Sequence, residues 1–509
     1  MNRTSRLVSL ALLGTGLAGC AVGPDFEAPQ TRSPASWQAA HSGEAALPPA
    51  AGTTRLAEDW WTLFNDPVLN NLQSRADKAS PDLNSAVLRF AQSRMQRQMV
   101  ASQRGVDVNA SAGVNRQRMS ENGANALMIQ RIAPGANSEQ ISKVLAEPFT
   151  LYQAGFDASW EPDLWGRIRR SIESADASVA AQAAMLDEVR LGVAAELSRA
   201  YFELRGVQQQ IAVTRQDLAA TEESLQLIQA RADGGLVDDF DVERQRGQLA
   251  DLSSRLPQLL ASETTAINQI GVLVGAEPGS LRDDLKPVAA VEPQTPDLSL
   301  GLPSELARRR PDIRAAEAQL HAATANIGVA VADLYPAIRL GARFGFESTE
   351  GGHISDWGSR TWSVGPSLSV PIFDNGRRRS SINLRKLEQQ EAAVAYQQTV
   401  LKAWQEVDDS LSQYDAERQR NRQLQDKQRS ADITYGMAKA RYAGGMTDFL
   451  VELDAQRAYL QSRRDLVDSD TQLRLTLIAL CKALGGGTPT LESSHGGTLA
   501  PAAKETASR

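Results

Sequence analysis

Few side chains in this 509-residue chain could do covalent or acid–base chemistry, and their placement excludes most of it. The four histidines, His41, His321, His353 and His495, fall in a leader, a helical segment, a loop and the tail. Their spacing suits neither a metal ion nor a catalytic triad. No phosphate-cradling glycine loop or nucleotide fingerprint appears, and the paired Asp and Glu residues read as charges flanking long helices. No enzymatic centre, metal or cofactor is therefore expected. The two cysteines remain as nucleophiles. Cys481 stands in the apolar run Leu477-Ile478-Ala479-Leu480-Cys481, which reads as helix packing, whereas Cys20 follows an apolar stretch near the N-terminus.

That stretch gives Cys20 its chemistry. Arg3 and Arg6 precede Leu7 to Leu17, a run too short to span a bilayer as a stable helix, and small residues follow. Residues 1–19 read as a cleaved signal peptide. The junction Leu17-Ala18-Gly19-Cys20 resembles the bacterial lipobox, in which the cysteine thiol is acylated and the cysteine becomes the first residue of the mature chain. Asp in the following place commonly retains such lipoproteins at the inner membrane, so Ala21 points to the outer membrane. Once Cys20 is acylated only Cys481 is left, and no intrachain disulfide can form.

The elements that carry these residues are written twice. The shift that takes Trp165-Gly166-Arg167 to Asn375-Gly376-Arg377 also takes Arg231 to Arg441, Gly234-Gly235 to Gly444-Gly445, Asp238 to Asp448 and Gly275 to Gly485. One long structural unit thus occurs in each half. Upstream, Pro81-Asp82-Leu83 pairs with Pro311-Asp312-Ile313 at a larger shift, so the first copy carries an insertion between Gly105 and Trp160. Aromatics are only 5%, and Ala, Gln, Arg, Leu, Glu and Asp dominate, a profile of long helices. The net charge of −7 is mild and interleaved, without the basic face that nucleic acid requires.

Seven-residue rows mark the longest helices. Leu186, Val193, Ala200 and Val207 form one, and Leu197, Leu204, Ile211, Leu218 and Leu225 another, a coiled-coil signal. Gly166 to Asp233 spans roughly 100 Å at the rise of an α-helix. Gly234-Gly235 and Gly444-Gly445 then supply the permissive backbone for tight turns into antiparallel partners. The expected layout is an extended segment over 20–66, a first repeat over 67–275 with its hairpin at 166–275, and a linker at 276–302. A second repeat covers 303–485 with its hairpin at 376–485, before a tail at 486–509. Each repeat opens with a helix, Leu69 to Arg104 in the first and Pro303 to Leu334 in the second.

Between the helices the period becomes two. Alternating runs are expected as strands at about 106–118, 149–161, 337–347 and 361–371. Each is about ten residues, enough for a tilted strand to cross a bilayer. One face suits lipid; the other carries Asp107, Asn109, Arg339, Arg343 and Glu347 and suits water. A sheet in lipid must close on itself, which four strands cannot do. Two chains would give a filled eight-strand barrel, and three give twelve strands and begin to leave an aqueous opening, so a pore requires at least a trimer. The insertion falls in Met119 to Pro148, making the first outer loop longer than the second, near Ser348 to Arg360.

The lipoprotein signal and the two repeats of helix, strand, strand, long helix and returning helix resemble the TolC/OprM-like outer membrane factors, in their lipoprotein branch. So do Trp165-Gly166-Arg167, Asn375-Gly376-Arg377, Arg441-Tyr442-Ala443-Gly444-Gly445, Leu453-Asp454-Ala455-Gln456-Arg457 and Lys482-Ala483-Leu484-Gly485-Gly486-Gly487. The resemblance covers nearly the whole mature chain. It implies a mixed α and β membrane protein: a homotrimeric twelve-strand outer-membrane β-barrel, four strands per chain, continuous with a long periplasmic α-helical barrel of coiled-coil hairpins. The linker at 276–302 would lie in its equatorial region.

It also implies passive exit for drugs or other small toxic compounds, delivered by an inner-membrane RND-type pump through a periplasmic adaptor. Heavy-metal cation efflux and type I protein secretion stand as alternatives, and a periplasmic coiled-coil scaffold as a distant one. By the same resemblance, Leu450 and Asp454 match apolar and carboxylate rings at a periplasmic gate, with Arg457 available to pair. Tyr442 and Asp241 match a latch between adjacent hairpins, and Thr447 stands where some relatives have an Arg that completes it. The turns at Gly234, Gly235, Gly444 and Gly445 would meet the adaptor.

Overall fold

A computed structural model describes residues 21–29, 59–121, 123, 127–128, 131–132, 136–286 and 309–486. Its helices are α1 Pro67–Ala79, α2 Pro81–Ser102, α3 Ala136–Leu145, α4 Arg167–Asp233, α5 Asp239–Leu273, α6 Pro311–Ala332, α7 Arg377–Ala443 and α8 Phe449–Ala483. Its strands are β1 Asp107–Gln117, β2 Phe149–Trp160, β3 Ala337–Ser348 and β4 Arg360–Ser369. Among the described residues no helix is long and apolar enough to cross a membrane. Two compact units share the chain. Of the described residues, one comprises those within 21–27, 94–178 and 320–391; the other comprises those within 28–93, 179–319 and 392–486.

The first unit holds an antiparallel sheet in the order β1-β2-β3-β4. Its register aligns the alternation of all four strands. Ala110 faces Phe156, Phe156 faces Phe344 and Phe344 faces Trp362, so one face is an apolar row. The neighbouring row, Asn109 to Asp157 to Arg343 to Ser363, is polar on the other face. On the apolar face Phe156, Trp362 and Val364 are exposed, as suits a surface facing lipid. The first outer loop contains α3, a helix that the alternating pattern on either side of it does not reveal.

The residues after Cys20 are bound to this unit. Val22 N–H donates to the Trp165 carbonyl at 3.2 Å. Buried Arg170 donates to the Val22 carbonyl at 3.3 Å, to Asp25 Oδ1 at 2.6 Å and to Glu173 Oε2 at 2.8 Å. Phe26 stacks on His321, centroids 4.3 Å apart, and His321 Nε2 lies 3.1 Å from Glu173 Oε1. Cys20 itself, His41 and His495 lie outside the described residues.

In the second unit, the first-repeat helix expected over Leu69 to Arg104 begins as α1 and stops at Ala79. Ser80 has φ −58° and ψ 125°, extended because the ring of Pro81 disfavours the helical region for the residue before it. The helix start expected at Pro303 lies outside the described residues, and α6 begins at Pro311. α1 is fixed at its start by Asp66, whose Oδ1 accepts from Val68 N–H and Leu69 N–H at 2.9 and 3.2 Å. Its other oxygen accepts from the Tyr201 hydroxyl at 2.6 Å. Around this joint a core forms from Trp60, Leu69, Leu197, Leu204, Ile270 and Leu477, and buried Cys481 belongs to it. Burial pushes the Cys481 thiol up to about 12, the behaviour of a packing residue, not a nucleophile.

Candidate functional site

Each long hairpin turns on its glycine pair. After α4, Gly235 N–H donates to Ala232 O at 2.8 Å and Leu236 N–H to Arg231 O at 2.9 Å; after α7, Gly445 N–H donates to Tyr442 O at 3.0 Å and Met446 N–H to Arg441 O at 2.9 Å. Both sets satisfy carbonyls that the helix end would otherwise leave open. Gly235 has φ 67° and Gly445 φ 70°, the left-handed region that a side chain resists. The returning helices start at Asp238 and Asp448. Asp238 caps α5 by accepting from Phe240 N–H at 3.3 Å, while Asp448 makes no side-chain cap.

The two tips share a small apolar cluster of Ile228, Val242, Tyr442, Phe449 and Leu453. Tyr442 is pinned by the Phe449 ring at 5.5 Å and by the Arg231 guanidinium 4.8 Å above its own ring. Its hydroxyl is buried and has no hydrogen-bond partner among the described residues, so the pair with Asp241 is not made within one chain. Burial pushes the Asp241 carboxyl up, with Asp238 and Asp448 adding to the rise and Arg244 opposing it.

On α8, Leu450 is 43% exposed and Asp454, one turn on, is exposed as well. Asp454 has no ion pair or hydrogen bond of its side chain among the described residues. Arg457, available by spacing to pair with it, instead donates from Nε to Gln248 Oε1 at 3.0 Å, because buried Gln248 on α5 presents an acceptor there. Leu236, Phe240 and Met446 are also exposed at the turns.

Gln248 and Glu452 of this site were not singled out by sequence reasoning, and Arg231 was read there only as the repeat counterpart of Arg441. For Glu452 a signal existed. Phe449, Glu452, Leu453 and Gln456 are buried at helical spacing, so the carboxylate sits on the packed face of α8. Burial raises the Glu452 carboxyl above its ordinary range, against Lys439 and Arg231. A carboxyl raised on folding stabilises below its unfolded value and loses that contribution as pH rises through its folded value. Glu452→Gln, a mimic of the protonated form, is therefore expected to raise Tm at neutral pH. The gain should vanish in acid, as a calorimetric pH series will show.

The family model described as Outer membrane efflux protein matches residues 72–276 and 302–486. The chain belongs to the outer membrane efflux protein family. OprJ, an outer membrane protein of Pseudomonas aeruginosa, is 32% identical over 492 residues, covering 96% of this chain and 97% of that protein. The antibiotic efflux pump outer membrane protein ArpC of Pseudomonas putida is 29% identical over 486 residues, covering 95% and 96%. The solved structure of the outer-membrane channel OprN superposes with a TM-score of 0.80 at 34% identity, covering 92% of this chain and 99% of that one. As a member of the family, this chain is a non-enzymatic outer membrane efflux channel that extends into the periplasm.

Proposed function

We propose that this efflux channel works as a homotrimer whose periplasmic entrance is closed by rings at Leu450 and Asp454. The observation that carries the reading is the pairing of an exposed leucine with a carboxylate one turn away that has no partner among the described residues, beside the Gly444-Gly445 turn. Threefold symmetry converges three carboxylates, which gather cations and resist anions. A trimer is further supported by the sheet, whose outer strands β1 and β4 each have a neighbour on one side only. In lipid such edges must be paired, and β1 of one copy can pair with β4 of the next. In the same assembly the Tyr442 hydroxyl finds the acceptor it lacks in Asp241 of an adjacent copy.

Exposed Leu236, Phe240 and Met446 at the turns form the contact for a periplasmic adaptor, and through it an inner-membrane RND-type pump delivers cargo. Acylated Cys20 anchors the chain in the outer membrane, and the cargo is drugs and other small toxic compounds. The kinship with an antibiotic efflux protein supports that choice. Deleting the chain should increase susceptibility to dyes, detergents and antibiotics, with Cys20→Ser retaining much of the activity if strands and trimer hold the channel in place. Unchanged susceptibility of the deletion strain would remove the cargo assignment.

A further inference from the structure

The packed face of α4 changes character along its length. Leu197, Leu204 and Ile211 are buried, and the apolar face resumes at the tip with Ile228 against Val242 and Leu453. Between them the buried positions on α4 are Val213, Thr214, Asp217 and Thr221, three of the four polar, and on α5 Gln245, whose amide donates to the Thr221 carbonyl at 3.3 Å, and Gln248 are buried as well. A coiled coil built only for stability would keep this stretch apolar; a buried polar layer is weaker but can select among packing arrangements.

Asp217, 1% exposed, is the charged centre of the layer. Arg463 of α8 donates from Nη1 to its Oδ1 at 2.6 Å and from Nη2 to Gln216 Oε1 at 2.8 Å. The second oxygen, Oδ2, is buried without a partner among the described residues. So are Nε and Nη1 of Arg464, the next residue of α8, whose Nη2 alone donates, to Gln461 Oε1 at 2.9 Å. Burial pushes the Asp217 carboxyl up, with both arginines pulling against it. Burial, and then the like charge of Arg255, lower Arg464. Donors and acceptor left open in one layer would satisfy each other.

We propose that Asp217 is a two-position detent for α8. It holds Arg463 in the arrangement seen here and takes Arg464 when α8 turns about its axis, giving the segment that carries Leu450 and Asp454 two defined positions. Neighbouring residues stand about 100° apart around a helix, and the long arginine side chains absorb part of that rotation. Alternative pairings of this kind make a packed interface bistable, not continuously deformable. The surrounding Thr and Gln side chains can bond in either arrangement, which keeps the two close in energy.

The proposal rests on the gate reading of Leu450 and Asp454, so its test includes Leu450→Ala as a control for that gate. Conductance of the purified trimer is measured in planar bilayers for wild type, Leu450→Ala, Arg463→Gln and Arg464→Gln. Removing the partner held here should raise conductance about tenfold, and removing the waiting partner should lower it below wild type, opposite signs from adjacent residues. Exchanging the charges in Asp217→Arg with Arg463→Asp should return conductance toward wild type, which a misfolded variant would not do. Arginine variants that shift conductance in the same direction, or leave it unchanged while Leu450→Ala raises it, overturn the detent alone. An unchanged Leu450→Ala overturns the gate and the detent together.

Discussion

Tyr442→Phe is expected to open the channel. Within one chain the Tyr442 hydroxyl is buried and unpartnered, a state that costs about 1–3 kcal/mol. Removing it from an isolated chain would therefore be stabilising. In the trimer the proposed acceptor is Asp241 of a neighbouring copy, and the sign reverses. One bond at each of three interfaces, at about 1 kcal/mol net each, shifts the closed-to-open ratio on the order of a hundredfold. The aromatic packing against Phe449 and Arg231 survives the change, so the readout isolates the hydroxyl. Single-channel recording should show a higher open fraction for Tyr442→Phe. A tighter channel would mean that the hydroxyl stays unsatisfied in the assembly and that the latch does not exist.

Gly155→Val should abolish a folded channel. Gly155 on β2 and Gly345 on β3 face each other in the register, and a Cβ on Gly155 would stand 2.8 Å from the Phe344 carbonyl oxygen and 2.9 Å from Gly345 Cα. Both obstacles are backbone, so the strands themselves must separate. β2 and β3 are the inner strands of the sheet, and prising them apart breaks the ladder that joins the two repeats. Ladder bonds lost in lipid cannot be replaced by water, so the penalty exceeds several kcal/mol. Gly352→Val, in the outer loop with nothing near its would-be Cβ, is the matched control. Heat-modifiable migration of membrane fractions should report folded barrel for Gly352→Val and none for Gly155→Val.

The alternating runs were legible because the sheet leaves both faces distinct, and the register puts Val108, Ala110, Phe156, Phe344 and Trp362 on one of them, while Leu151 and Phe149 at the start of β2 pair with Asn115 and Gln117 on the other. The hairpins were legible through their glycine pairs, whose second members, Gly235 and Gly445, take a positive φ that no other residue supplies as easily. Finer points depended on local chemistry. Pro81 ended α1 by acting on the residue before it, a signal present in the sequence but outweighed by the helical pattern on both sides. The heptad row misled beyond Ile211. Leu218 and Leu225 continue it, yet they are half-buried while Thr214, Thr221 and Ile228 are buried. A helix at 3.6 residues per turn drifts from a seven-residue repeat by about 20° per heptad, which brings the polar row inward. Arg457 chose Gln248 over Asp454 because the acceptor comes from another helix, a proximity that spacing along α8 does not encode.

The central claim, that this chain forms a pore narrowed by the Asp454 carboxylates, is tested most directly by the reversal potential of the purified trimer across a salt gradient. Wild-type pores should favour cations, and Asp454→Asn, which removes the charge at nearly constant size, should move the potential toward zero. The absence of pores, or pores whose reversal potential is unaltered by Asp454→Asn, would contradict it.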